Sequence, residues 1–229
     1  MSPGTSTGRY ELVIFDLDGT LLDTSPGIVH CFNVVADHLG RPRLTTAAAR
    51  SLIGGPLLAN LINAFSLDAA TAAQAVEVYR QEYARSGVRL LHEYPGTRDL
   101  LGRLRRAGYA TAVATLKRDD LAKTILREQG MAADFDLIAG VDARDTLGKD
   151  DLLRLVLSSL SVKAQRAVLV GDSDHDARGA AEVGVGFIGL TAPYGFSPAS
   201  YNCPGLRLDG TAGSAQDIFA LITGDSSAT

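Results

Sequence analysis

Residues 15–24 read FDLDGTLLDT and follow the apolar run Leu12-Val13-Ile14-Phe15. Side chains two apart on a strand project the same way, so a strand ending here aims Asp16 and Asp18 at one place. Two carboxylates held together repel, and neither ionises freely without positive charge beside it. That costs stability, so the stretch reads as a site at the end of a buried strand.

Further short apolar runs predict strands over Glu11–Asp16, Tyr109–Thr115, Asp136–Gly140, Ala167–Gly171 and Val185–Leu190. They are nearly continuous in Val, Ile, Leu and Ala, as in parallel strands covered on both faces. Helical patterns lie between them. Thr97–Ala107 puts Leu100, Leu101 and Leu104 on one face, and Asp119–Gln129 carries Leu121, Ile125 and Leu126 ahead of Gly130. Asp150–Leu160 and Asp176–Val183 follow, the latter ahead of Gly184. Alternating strand and helix predicts an α/β fold with a doubly wound, Rossmann-like parallel sheet.

One interval breaks that rhythm. A strand–helix–strand unit takes about 30 residues. Thr115 to Lys149 spans 34 positions and Lys149 to Asp172 spans 23, but Asp18 to Thr115 spans 97. The surplus of roughly 65 residues is mostly helical, with candidate helices over Pro26–Leu39, Pro56–Phe65 and Asp68–Ser86. The expected organisation is a discontinuous core, 9–23 with 93–225, and a small helical cap, 24–92, inserted after the first strand. An insertion there belongs to a lid, since ligands of open α/β sheets bind beyond the carboxyl ends of the strands.

Bulk properties narrow the function. The chain has 229 residues, 46% hydrophobic and 21% charged, with net charge −4. It shows no basic block of the kind that tracks nucleic acid and no apolar run of the ~18 residues a membrane span needs. The opening MSPGTSTG lacks the charged and apolar regions of a signal peptide. Cys31 and Cys203 suggest no disulfide framework. The expectation is a cytoplasmic protein, monomer or homodimer, with neither nucleic acid nor membrane as partner.

Four short motifs fall at strand ends or helix starts: Asp16-Leu17-Asp18-Gly19-Thr20, Thr115, Lys149, and GDSDHD at 171–176. Gathered at one sheet edge they form a set for phosphoryl transfer. A hard cation such as Mg2+ prefers oxygen ligands, which Asp16, Asp172 and the backbone carbonyl of Asp18 can offer. Lys149 adds a second positive charge, and the Thr115 hydroxyl can bind a phosphoryl oxygen. Asp16 can attack phosphorus, and Asp18 can protonate the leaving oxygen and then take a proton from water. Gly19 allows a sharp turn beneath the phosphate.

The combination resembles the haloacid dehalogenase superfamily of phosphohydrolases, most closely its phosphoglycolate-phosphatase-like branch with a helical cap. The resemblance covers roughly residues 10–223 and includes HEYPGTRDLLGRLRRAGYATAVAT at 92–115. It implies Asp16 as nucleophile, Asp18 as acid/base and Lys149 as the charge-balancing lysine. It also implies Asp16, Asp18 and Asp172 on Mg2+, with Ser173 and Asp176 in support. Gly19, Thr20, Thr115 and the backbone N–H of Leu116 fall on the phosphate side. LIGGPLLANL at 52–61, with Gly54, is similar to the family's specificity loop and reads equally as an ordinary Gly-Pro turn between two helices. The family often has Asn-Lys after its Thr or Ser, where this chain has Leu116-Lys117.

The implied substrate is a small phosphorylated metabolite. A phosphomutase similar to β-phosphoglucomutase, or a pyrophosphatase or 5'-nucleotidase on the same core, remains an alternative. Dehalogenase relatives lack the second Asp and need no metal, and phosphorylated receiver domains are about 120 residues without an inserted cap; both fit less well. Asp23 reads as a hinge or cap residue, and Asp174 and His175 as solvent-facing or capping the next helix. Arg50, Arg80, Arg85 and Arg89 read as solvated helix charges that could meet a substrate anion.

Overall fold

The computed structural model describes residues 8–50, 52, 57–142, 146–191 and 203–224. The chain opens with strand β1 (Leu12–Phe15) and passes through β2 (Leu22–Asp23) into four helices. These are α1 (Ser25–His38), α2 (Thr46–Arg50), α3 (Leu57–Phe65) and α4 (Ala69–Arg85). It returns through β3 (His92–Glu93) and then alternates: α5 (Thr97–Arg106), β4 (Ala110–Arg118), α6 (Asp119–Glu128), β5 (Leu137–Val141) and α7 (Lys149–Leu160). It finishes with β6 (Ala167–Gly171), α8 (Asp174–Val183), β7 (Gly186–Leu190), β8 (Arg207–Ala212) and α9 (Ala215–Thr223).

Two compact units result. One comprises Met1–Leu21 and Glu93–Thr229, the other Leu22–His92. In the first, six strands pair in the order β5-β4-β1-β6-β7-β8, every pair parallel. Strand β1 lies between β4 and β6, with Phe15 opposite both Val113 and Val170. The chain builds outward from β1 through β4 to β5, then crosses back to β6. The strand order therefore reverses beside β1, where a doubly wound sheet opens a crevice for a ligand.

Alternation explains the layers. Leu12 and Ile14 of β1, Ala112 and Ala114 of β4, and Leu169 of β6 share one face with Leu152, Leu153 and Val156 of α7 and Ala177 and Ala180 of α8. At roughly 25 cal/mol per Å2 of apolar surface, this core supplies the main drive to fold. The second unit pairs α1 with α4 and α3 with α4. Asp68 caps α4 by accepting from Thr71 N at 2.8 Å.

Local patterns fell short in places. Strand β8 and helix α9 have no counterpart among the elements expected from sequence. Arg-Leu-Asp-Gly-Thr-Ala is a poor strand pattern, and it forms a strand by pairing with β7 from Gly186↔Arg207 to Leu190↔Ala212, with side-chain contacts beside it. Asp209 pairs with Arg9 at 2.6 Å and Arg207 at 3.4 Å, and Arg207 donates to Ala167 O. Helix α2 was also unforeseen. Helix α8 starts at Asp174 rather than Asp176, because Ser173 accepts from Asp176 N as its cap. Strand β4 runs on to Arg118, three residues past Thr115, through an irregularity in its pairing with β5. No helix among the described residues is long and apolar enough to cross a membrane.

Candidate active site

Asp16 stands one residue beyond β1, and its N–H donates to Val170 O of β6 at 3.0 Å. The chain then turns tightly: Thr20 N and Leu21 N both donate to Leu17 O. Gly19 makes the turn at φ +84°, and a Cβ there would run into the Asp172 carboxylate. Only glycine combines that left-handed backbone with so close an approach. Thr20 Oγ1 donates to Asp172 Oδ1 at 3.1 Å, tying the loop after β1 to the loop after β6.

The turn after β6 positions the remaining carboxylate. Asp176 is fully buried and accepts from Ser173 N at 3.1 Å and Ser173 Oγ at 2.6 Å. Ser173 thus orients Asp176 while starting α8. Asp174 and His175 are exposed.

Lys149, the first residue of α7, reaches into this acidic group. Its Nζ lies 2.7 Å from Asp16 Oδ1, 2.7 Å from Asp176 Oδ1 and 2.7 Å from Ala114 O. A cation at a helix start opposes the helix dipole. Two buried carboxylates outweigh that cost.

The electrostatic balance is uneven. Asp16, Asp172 and Asp176 place one oxygen each within 4.8 Å of one another, against one ammonium. Burial, reinforced by Asp176 and Asp18, pushes Asp16 up to about 7 despite the pull of Lys149. Burial and the charges of Asp176 and Asp16 raise Asp172 well above the usual carboxylate range. For Lys149, burial works against the charge, yet Asp16 and Asp176 win and raise its proton affinity. The group carries more negative charge than it compensates, and each of Asp16 and Asp172 spends only one oxygen on Lys149 or Thr20. A hard oxygen donor set with surplus negative charge fits a divalent cation.

Strand β4 brings Thr115 and Lys117 to the same edge. Thr115 is buried and its Oγ1 accepts from Lys117 N at 3.2 Å, leaving the hydroxyl proton to donate. The Leu116 side chain packs against the core cluster of the α7–α8 face, which accounts for an apolar residue there. Lys117 Nζ lies 3.0 Å from both oxygens of Asp18. The sequence reading gave Lys117 no role, although it stands two residues after Thr115, as Asp18 stands two after Asp16. Asp18's carboxylate therefore faces Lys117, and it is Asp176 that completes the carboxylate cluster with Asp16 and Asp172.

The structure thus brings Asp16, Asp18, Gly19, Thr20, Thr115, Lys149, Asp172, Ser173 and Asp176 to one edge of the core. Gly54 lies outside the described residues, as does the side chain of Arg50. Of the other arginines, Arg85 pairs with Glu82 at 2.9 Å, Arg89 donates to Arg85 O, and Arg80 lies 3.8 Å from Glu77. Asp23 accepts from Ser25 N at the start of α1.

Three carboxylates, a lysine and a hydroxyl therefore meet where the strand order of a Rossmann-like parallel sheet reverses. The chain belongs to the haloacid dehalogenase-like hydrolase family, whose model matches residues 13–190. It is 38% identical over 195 residues to the tyrosine-protein kinase PtkA of Mycobacterium tuberculosis, covering 85% of this chain but only 65% of the kinase's length. The solved structure of that kinase superposes with a TM-score of 0.80 at 33% identity, covering 93% of this chain and 98% of the solved one. A 5'-nucleotidase of Pseudomonas aeruginosa is 33% identical, covering 82% of this chain and 85% of its own length. A phosphoglycolate phosphatase of Pseudomonas putida is 32% identical, covering 97% and 81%.

Proposed function

We propose that the protein is a Mg2+-dependent phosphatase of a small phosphorylated metabolite, working through an aspartyl phosphate on Asp16. The observation that carries this reading is the Asp16 carboxylate at the end of β1, held by Lys149 beside Asp172 and Asp176. Asp16, Asp172 and the Asp18 carbonyl would hold Mg2+, which supplies positive charge where a phosphate must approach a carboxylate. Lys149 fixes Asp16 so that one oxygen is presented to phosphorus. The Thr115 hydroxyl, and the N–H groups of the loop after β1 and of Leu116, bind phosphoryl oxygens. Asp16 forms a bond to phosphorus as the ester P–O bond breaks, and Asp18 gives its proton to the leaving oxygen. Water then attacks the aspartyl phosphate, Asp18 takes the water proton, and inorganic phosphate leaves.

A panel of phosphometabolites including phosphoglycolate, nucleoside 5'-monophosphates and hexose phosphates tests this. Phosphate release with Mg2+, lost in excess chelator, is expected. Turnover undiminished in chelator would overturn it. The similarity to PtkA favours one second reading, transfer to an acceptor hydroxyl instead of water, as a mutase or kinase performs. It requires labelled phosphate to appear on the acceptor rather than in solution.

The charge imbalance gives a pH prediction. Without metal, Asp16 and Asp172 bind protons more tightly folded than unfolded. Their contribution to stability is present at low pH and declines as pH rises from ~4 toward ~7 for Asp16. Lys149 stays charged in both states across this range and adds no slope. Mg2+ binds the ionised carboxylates, so its stabilisation grows with pH. At 100 times Kd the gain is about 2.7 kcal/mol, or about 5–10 °C in melting temperature at pH 8, and less at pH 5. Melting curves with Mg2+ and with chelator check this, and an equal gain at both pH values contradicts it.

A further inference from the structure

Lys117 carries an interaction that the phosphatase reading does not require. Strand β4 pairs with β5 at Thr115↔Gly140 and next at Arg118↔Val141, so the register shifts across Leu116 and Lys117. Such an irregularity re-aims the side chains beside it. Gly140 permits the close backbone approach there. A Cβ on Gly140 would lie 2.5 Å from Lys117 O and 2.6 Å from Asp119 Cα, and Gly140 N donates to Asp119 Oδ1 at 3.2 Å. Beyond this shift Lys117 reaches the loop after β1, where its Nζ meets Asp18 Oδ1 and Oδ2 equally, both at 3.0 Å. The pair is nearly enclosed, with side-chain exposures of 8% and 14%.

A carboxylate held through both oxygens has little freedom left to rotate. It also cannot turn toward the cluster formed by Asp16, Asp172 and Asp176. We propose that Lys117 is a positioning residue: it keeps Asp18 apart from the carboxylate cluster, and when Asp18 carries a proton on one oxygen the Lys117 contact to the other oxygen holds that proton toward the leaving oxygen. The proposal rests on the phosphatase reading and on Asp18 as its proton donor. The two lysines then divide the acidic residues, Lys149 serving Asp16 and Asp176, and Lys117 serving Asp18.

The test uses the full chain, Lys117→Met, which keeps the apolar stem, and two substrates, p-nitrophenyl phosphate and phosphoglycolate. The kcat/KM value reports steps through the first phosphoryl transfer, where the leaving oxygen is protonated. General acid catalysis is worth about 10^2–10^4, and misplacing the acid forfeits part of it. For phosphoglycolate kcat/KM is expected to fall about 10–100-fold. For p-nitrophenyl phosphate, whose leaving group needs no proton, the loss stays within about threefold. A merely structural role, or direct phosphate binding by Lys117, lowers both alike and overturns the proposal.

A double-mutant cycle supplies the second measurement and removes both charges together, so it stands even where Lys117→Met alone folds poorly. Lys117→Met added to Asp18→Asn is expected to cost no further rate. An additional loss of tenfold or more shows that Lys117 acts other than through Asp18. Wild-type protein that hydrolyses neither substrate overturns the phosphatase reading and the proposal with it. Wild-type turnover of both, with an unaffected Lys117→Met, overturns the proposal alone.

Discussion

Asp16→Asn is expected to reduce turnover at least about 10^4-fold and leave a folded protein. The amide keeps the size and nearly the shape of the carboxyl but cannot attack phosphorus. Among the described residues the neighbouring carboxylates are engaged elsewhere. Asp172 is tied to Thr20, Asp176 is buried against Lys149 and Ser173, and Asp18 faces Lys117. The fold survives because the substitution removes one negative charge from a group with too many. Lys149 keeps Asp176 at 2.7 Å and Ala114 O at 2.7 Å. The melting temperature in chelator should match or exceed that of the wild type. Brief reaction with a 32P-labelled substrate, followed by acid quench, should label the wild-type chain and not the variant. Retained labelling in Asp16→Asn would falsify the nucleophile assignment.

Lys149→Met should have the largest effect on stability. Methionine fills much of the same space without the charge. Asp16 and Asp176 then face each other with Asp172 nearby and no counter-ion. Breaking one side of a buried pair costs about 3–5 kcal/mol, because the remaining charge is left unpaired. In a chain of this size that is about 6–20 °C in melting temperature. Activity should fall at least about 10^3-fold, since Asp16 loses the group that orients it. Mg2+ should restore part of the stability by returning positive charge, and little of the activity. Melting curves at pH 8 with chelator and with Mg2+ measure both. A drop below about 1 kcal/mol in chelator would mean that Lys149 is solvated rather than structural, contrary to its 4% side-chain exposure.

Much of the site was legible because its signals are local. Asp16 and Asp18 follow a four-residue apolar run, and their spacing of two follows from strand geometry alone. The capping role of Ser173 was less plain, since the pattern placed the helix start at Asp176 and the structure starts α8 at Asp174. Lys149 stood out because a cation at a helix start needs a reason. Lys117 was missed for a physical cause. Its partner is 99 residues away, and it meets that partner beyond a register shift in β4. Nothing in the string LKRDD marks that irregularity. The last strand was missed because RLDGTA has no apolar run, and only its pairing with β7 makes it a strand.

From sequence alone came the parallel sheet, the helical insertion and the residues at the strand ends, because apolar runs, periodicity and caps act over a few residues. Tertiary structure decided which cation serves which carboxylate. Lys149 meets Asp16 across 133 residues and Lys117 meets Asp18 across 99. Those encounters depend on strand order and register, and charges separated so far along the chain carry no local trace of the partner they will find.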